Sequence, residues 1–200
     1  MKYVSIDLET TGLNPLTCQI LEFGAVVDDL DNLKPLEELP KFHAYVLPSS
    51  AEVSMANLAR QEVVYMGEPF ALQMNAGILA KIANRKNNRE DLFLCEDELA
   101  SEFNRFLKKN GLTEKVLAAG KNYGTFDKRF LDAIPEWSNI KFHHRVLDPM
   151  MLFMRKSDQE PPRLSTCLER AGLNPVITHN ALEDALQVVQ LIRKGLGYEG

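Results

Sequence analysis

A chain of 200 residues with 45% hydrophobic and 26% charged residues has the size and composition of one globular domain, which excludes a disordered chain, a collagen-like repeat or a coiled coil. Twenty-three Lys and Arg against twenty-eight Asp and Glu give a formal charge of -5. This balance excludes a summed positive field that would attract nucleic acid from a distance. Any binding of phosphate groups must therefore depend on local features, such as bound cations.

The cysteines and the N-terminus bear on the compartment. Cys18, Cys95 and Cys167 are odd in number and far apart, without the paired spacing of a metal site or a disulfide framework. The opening MKYVSIDLE carries acidic residues where a signal peptide needs its apolar core, and no apolar run reaches about eighteen residues. We therefore expect a cytoplasmic protein with no membrane partner.

Apolar and β-branched residues predict three strands in the first 48 residues. They are KYVSID, QILEFGAVV and KFHAYVLP, the last stopped by a proline. Strands that follow one another directly favour an antiparallel meander.

The segment 49–95 is expected to be a variable, helical insertion that determines the particular substrate. One helix is predicted after Pro69, since apolar residues recur there near the helical period. Those residues are Phe70, Met74, Ile78 and Ile82. The following EDELASEFNRFLKKNG predicts a longer helix, because acidic residues lead it and two lysines precede a glycine.

The rest of the chain alternates between strand and helix patterns, which indicates parallel strands joined by crossover helices. The segments are VLAA, TFDKRFLDAI, HHRVLD, LSTCLERAG and ALEDALQVVQLIRKG. The predicted fold class is therefore α/β, with one domain over residues 1–200. It is a mixed sheet, an antiparallel meander extended by parallel βαβ strands, with helices on both faces.

Three carboxylates stand at positions that suggest a site. Asp7 and Glu9 lie two residues apart at the end of the first strand and project from one face if the extended conformation continues. Two like charges resist ionising together unless a cation lies between them, although such a pair is also common on solvated surfaces. Asp184 lies on or beside the apolar face of the last helix, which Asn180 can cap. Burial there is costly unless the carboxylate is paired, and a metal is the simplest partner, with a distant arginine as the alternative.

Two further residues complete a pattern. Asp127 follows a turn after the VLAA strand, where ligands gather at the carboxyl ends of strands, and its other interpretation is an ordinary acid in a first helical turn. His179 immediately precedes the last helix, and a lone histidine is otherwise often structural. Together these residues form Asp-x-Glu on the first strand, Asp after a later strand, and His-x4-Asp at the last helix.

The matching text is IDLETTGLNP, ILEFGAVV, GKNYGTFDKRFL and THNALEDA. It resembles the DEDD superfamily of 3′-to-5′ exonucleases, in the branch whose last motif carries histidine. That branch includes replicase proofreading subunits, RNase T and oligoribonuclease. The resemblance implies a ribonuclease H-like fold. It also implies hydrolysis of phosphodiester bonds from the 3′ end of single-stranded DNA or short RNA, with release of nucleoside 5′-monophosphates.

The resemblance also implies roles for particular residues. The ligands of two Mg²⁺ or Mn²⁺ ions would be Asp7, Glu9, Asp127 and Asp184. The general base would be His179, and the substrate contacts would be Thr10, Leu13 and Asn122. The middle motif departs from the common spacing, since Asn122 and Asp127 stand as Asn-x4-Asp rather than Asn-x3-Asp, which is similar to oligoribonuclease.

Two other functions stay open at this point. One is a catalytically silent ribonuclease H-like module that binds nucleic acid or another protein, and the other is a metal-dependent phosphoesterase acting on nucleotides. The motifs do not distinguish DNA from RNA, because that choice depends on contacts to the 2′ position. A polymerase or a homodimer partner is compatible with the sequence.

Overall fold

The computed structural model describes residues 1–49 and 64–198. Its strands are β1 (Lys2–Thr10), β2 (Ile20–Asp29), β3 (Lys41–Leu47), β4 (Phe93–Cys95), β5 (Val116–Ala119) and β6 (Phe142–Leu147). Its α-helices are α1 (Pro69–Met74), α2 (Ala76–Ala83), α3 (Glu96–Lys109), α4 (Asp127–Leu131), α5 (Leu164–Arg170) and α6 (Ala181–Gly195). Short 3₁₀ turns lie at Leu36–Glu38, Pro135–Asn139 and Pro149–Leu152.

The strands form one mixed sheet in the order β4-β3-β2-β1-β5-β6. The first three strands are the antiparallel meander expected from the sequence. The other three pair in parallel, β4 with β3, β5 with β1 and β6 with β5. The α/β class and the mixed sheet are therefore confirmed. The three-residue β4 was missed because a strand so short has no measurable alternation.

Helices cover both faces of the sheet, as predicted. On one face α3 buries Leu99, Phe103 and Leu107 against the core, and the ring of Phe103 stacks on Trp137 with 5.5 Å between centroids. On the other face α6 packs its apolar stripe on β1 and β2, since alternate strand residues point to opposite faces. The second face is the one that carries the candidate site.

The C-terminal end of α6 is fixed to β2 by a buried ion pair. Arg193 donates from Nε to Asp28 Oδ2 at 3.0 Å and from Nη2 to Asp28 Oδ1 at 2.5 Å. The hydroxyl of Tyr3 donates to the same carboxylate at 2.9 Å. Since all three residues are buried, removal of one charge would leave the other unpaired in the core.

The helix predicted after Pro69 is two short helices, α1 and α2, separated at Asn75. The expected single apolar face is wrong in part, because Phe70 and Met74 are exposed while Ile82 is buried. Residues 50–63 of the expected insertion lie outside the described residues. No helix in the described ranges is long and apolar enough to cross a membrane.

Candidate active site

The end of β1 carries the acidic pair. The strand continues through Thr10, with Asp7 opposite Gly24 and Glu9 opposite Glu22 on β2. The extended conformation therefore places both acids on one face, as the sequence predicted. This is the face that α6 covers. Asp184 reaches the same point from α6, and one carboxylate oxygen from each of Asp7, Glu9 and Asp184 lies within 4.8 Å of the others.

The start of α6 explains why Asp184 lies there. Asn180 caps the helix, its Oδ1 accepting from the amide of Glu183 at 3.0 Å, as predicted for this residue type. Gly24 lets the first turn lie directly on β2, because a Cβ at this position would be 2.2 Å from the carbonyl carbon of Ala181. The first turn is thereby pressed against the sheet, and Asp184 is buried beside β1.

Asp127 joins the same end of β1 by a different contact. It is the first residue of α4 and is buried. Its Oδ1 accepts from the backbone amide of Leu8 at 3.1 Å. The pairing of β5 with β1 involves Val4 and Ser5, so the Leu8 amide lies beyond that ladder and the carboxylate satisfies it. Asp127 is not one of the three acids whose oxygens meet, and its proposed role as a ligand stays a prediction.

Burial and mutual repulsion make these acids hard to ionise together. Burial, followed by the charges of Asp127 and Asp184, raises the pKa of Asp7 well above its usual range. Burial and the charge of Asp184 raise the pKa of Glu9 to about 7. Burial raises the pKa of Asp127 to about 7, and burial with the charge of Glu183 raises the pKa of Asp184 to about 6. Such clusters are typical of functional sites.

The donor set fits a divalent cation. Carboxylate oxygens are hard ligands of the kind that Mg²⁺ and Mn²⁺ prefer. Asp184 Oδ1 is buried and has no hydrogen-bond partner among the described residues, which is costly for a carboxylate oxygen unless a cation satisfies it. The carboxylate cluster of Asp7, Glu9 and Asp184 is therefore a candidate metal centre.

Two predicted site residues have left-handed backbones, which is uncommon away from glycine and is concentrated at functional sites. His179 has φ of 51° and is exposed, directly before the cap of α6. Asn122 has φ of 60° and is exposed in the turn after β5. Its amide donates to Asp148 Oδ2 at 2.9 Å, which fixes the turn that leads to Asp127.

The other two predicted substrate contacts, Leu13 and Thr10, differ in exposure. Leu13 is 67% exposed, and its amide donates to Glu68 Oε1 at 3.0 Å. Thr10 is buried and its hydroxyl donates to the carbonyl of Gly12 at 2.7 Å. The Leu13 side chain is thus free to meet a ligand, whereas the Thr10 hydroxyl is already satisfied within the loop.

Two buried polar residues at this site were not predicted from the sequence. Asn75, between α1 and α2, donates from Nδ2 to the carbonyl of Thr10 at 3.0 Å, and its hydrogen bond to Glu9 opposes the rise in that pKa. Glu22 is fully buried on β2. The available signals were a polar residue that interrupts an apolar helical pattern and a charged residue inside the apolar run QILEFGAVV.

Known proteins resemble this chain in sequence over part or most of its length. The Exonuclease family model (RNase_T) matches residues 4–58. The chain is similar to PolC-type DNA polymerase III from Thermotoga petrophila, with 26% identity over 190 residues, and from Thermotoga maritima, with 25% identity. Each match covers 94% of this chain but 11% of the polymerase. The chain therefore spans about one tenth of the length of these curated relatives.

Solved structures show the same fold. E. coli Exonuclease I in complex with a dT13 oligonucleotide has a TM-score of 0.62 and 16% identity over 96% of this chain and 41% of that one. Cell-death related nuclease 4 has a TM-score of 0.63 and 16% identity over 98% of this chain and 64% of that one. The predicted ribonuclease H-like fold is confirmed. The Exonuclease family model and the PolC-type relatives agree with the resemblance to the DEDD exonuclease superfamily.

Proposed function

We propose that this chain, which resembles the DEDD exonucleases, is a divalent-metal-dependent nuclease that removes nucleotides from the 3′ end of single-stranded nucleic acid. The reaction is hydrolysis of a phosphodiester bond with release of a nucleoside 5′-monophosphate. The observation that carries the proposal is the carboxylate cluster. Three acids from β1 and α6 meet within 4.8 Å although burial and repulsion oppose their ionisation.

The metal centre is proposed to consist of two ions held by Asp7, Glu9, Asp184 and Asp127. When bound, Mg²⁺ or Mn²⁺ ions supply positive charge for the phosphate and lower the pKa of the attacking water. The acids of the chain keep those ions at the end of β1. The positive charge of the bound ions also explains how a protein with a formal charge of -5 can bind a polyanion, since the positive field is local.

His179 is proposed as the general base, taking a proton from the attacking water at a ring nitrogen. An imidazole has an unperturbed pKa near 6.5, which suits proton transfer at neutral pH. Two features support this role. His179 is exposed and lies directly before α6, the helix that carries Asp184. The backbone of His179 is left-handed, unlike the backbone of that helix.

The end of the substrate is proposed to lie on the loop after β1. Leu13 provides an exposed apolar side chain in the loop that follows β1, and Thr10 and the turn at Asn122 follow the carboxyl ends of β1 and β5. Solved neighbours of this fold include Exonuclease I in complex with dT13, which favours single-stranded DNA. The similarity to one tenth of PolC-type polymerases favours a role alongside a polymerase, with a homodimer as the other arrangement.

Digestion of matched oligonucleotides tests the proposal. DNA and RNA strands of the same sequence, labelled at either end, are incubated with Mg²⁺ or Mn²⁺ and with EDTA. We expect a ladder that shortens from the 3′ end, only with metal. Release of phosphate from free nucleotides without strand shortening would instead identify a nucleotide phosphoesterase. Binding of the strands without any cleavage would identify a silent module.

A further inference from the structure

A buried carboxylate that the proposed reaction does not use lies on β2, under the start of α6. Glu22 lies on β2 with no exposed surface. The residues on either side of it in the strand, Leu21 and Phe23, are apolar. A buried carboxylate is unfavourable unless several donors reach it. Three donors do so here, and two of them belong to the first residues of α6 and its cap.

The donors come from the neighbouring strand β3 and from the start of α6. The ring of His43 on β3 contacts Glu22 Oε1 through Nε2 at 2.5 Å. The side chain of Asn180 donates from Nδ2 to the same oxygen at 2.9 Å, and the amide of Ala181 donates to Oε2 at 3.3 Å. Since Asn180 also caps α6 through its own Oδ1, Glu22 holds the residue that sets where the helix begins.

Three residues, Glu22, Gly24 and His43, form the surface of the sheet on which the start of α6 packs. Glu22 and Gly24 are two apart on β2 and so face α6 together, and His43 is the cross-strand partner of Gly24. Gly24 allows the backbone of Ala181 to lie against β2. Glu22 supplies the directional bonds, which a close apolar contact alone does not provide.

We propose that Glu22, oriented by His43, is a positioning residue that fixes the start of α6 and thereby the placement of Asp184 and His179. The inference rests on the proposed function for its catalytic consequence, but the structural step does not depend on it. His179 precedes the cap by one residue and Asp184 follows it by four. A shift of the cap therefore moves both groups relative to β1, while the rest of α6 stays packed on the sheet.

Substitutions of Glu22 and His43 separate positioning from general stability. Glu22→Gln keeps the shape of the side chain, but one amide oxygen cannot accept from all three donors. His43→Leu removes the donor, and His43→Gln restores an N–H group. The matched control is Arg193→Met, which loosens the far end of α6 by breaking the buried pair with Asp28.

The expected results concern hydrogen exchange, metal affinity and turnover in the full chain. Glu22→Gln and His43→Leu should speed amide exchange at residues 181–184 and weaken Mn²⁺ binding measured by calorimetry. They should also lower kcat on a single-stranded oligonucleotide by about 10- to 100-fold, the usual loss when a residue that orients a metal ligand is changed, with little change in KM. His43→Gln should recover most of the rate. Arg193→Met should lower the melting temperature but leave kcat and Mn²⁺ affinity unchanged well below that temperature.

Two results would overturn the inference. One is wild-type exchange at residues 181–184 in Glu22→Gln. The other is an equal loss of kcat and Mn²⁺ affinity in Arg193→Met. A wild-type protein that degrades no oligonucleotide would defeat the proposed function instead, and the exchange measurement would still decide the positioning role.

Discussion

At the scale of single residues, the raised pKa values of the four acids make the metal-free protein sensitive to pH. An acid whose pKa is higher in the folded state contributes stability below its unfolded pKa and loses it as pH rises through the folded value. The pKa of Asp184 rises from its ordinary value of 3.8 to about 6 in the folded state, and the pKa of Glu9 rises from 4.5 to about 7. This part of the free energy of unfolding should therefore fall between roughly pH 4 and pH 7.

Thermal unfolding in EDTA across this range checks that expectation. We expect the melting temperature of wild type to fall relative to Asp184→Asn as the pH rises, because the variant lacks one repelling charge. Saturating Mn²⁺ should reduce the fall in wild type, since the ion takes the place of the bound protons. Parallel curves for the two proteins without metal would contradict the assignment of repulsion to this cluster.

His179 differs from the acids because the proposed role makes it a base and not a ligand. His179→Ala should lower the hydrolysis rate by about 10²- to 10⁴-fold, the usual loss for a general base. Its binding of oligonucleotide and its stabilisation by Mn²⁺ should stay close to wild type. His144→Ala, at an exposed histidine on β6, is the control and should retain full activity. Loss of Mn²⁺ stabilisation in His179→Ala would mean that this residue holds the site together instead.

At the scale of elements, the contact between β2 and α6 determines whether the site can form. Gly24→Ala would place a Cβ 2.2 Å from the backbone of Ala181, so the helix must move away from the sheet. We expect a loss of at least the roughly 1–3 kcal/mol typical of overpacked cores, together with loss of cleavage. Chemical denaturation and the oligonucleotide assay measure the two effects.

Gly77→Ala is the matched control for that substitution. Gly77 lies in α2 and is exposed, and a Cβ there meets nothing within 4 Å. The change should stabilise the protein by about 0.5–1 kcal/mol, because alanine costs less entropy than glycine in a helix. A Gly24→Ala protein as stable and active as Gly77→Ala would show that α6 does not need the close approach.

At the scale of the whole molecule, metal binding should appear as a rise in melting temperature. An ion that binds only the folded state stabilises it by mass action, by about 2.7 kcal/mol at a concentration of one hundred times Kd. We expect this rise with Mn²⁺ in wild type and a much smaller one in Asp184→Asn, although the variant should be more stable without metal. Differential scanning calorimetry with and without Mn²⁺ measures both. An equal rise in the two proteins would place the ions elsewhere.

The sequence predicts the meander, the parallel strands and α6 because each has a strong local signal, namely strand alternation, capping by Asn180 and an apolar stripe. It also predicts that Asp7 and Glu9 share a face, since alternation along a strand requires only local geometry. The division of one predicted helix at Asn75 and the exposure of Phe70 were not predictable in this way. At the division, Asn75 bonds to the carbonyl of Thr10, a contact between residues far apart in the chain.

The role of Glu22 also could not be predicted from the sequence. A charged residue in an apolar strand is visible in the sequence, but its purpose depends on donors from β3 and α6, which are 21 and 158 residues away. Pattern analysis along the chain cannot supply such pairings. Buried polar residues inside otherwise apolar segments are therefore the places where the structure adds most to the sequence.

The most direct test of the central claim is the cleavage of a 5′-labelled single-stranded oligonucleotide by wild type and by Asp184→Asn, each with Mn²⁺ and with EDTA. We predict that wild type with Mn²⁺ gives products shortened stepwise from the 3′ end. Wild type in EDTA and the folded Asp184→Asn protein under either condition should leave the strand intact. Stepwise shortening in EDTA, or full activity of Asp184→Asn, would contradict the assignment of the carboxylate cluster as the metal centre of a nuclease.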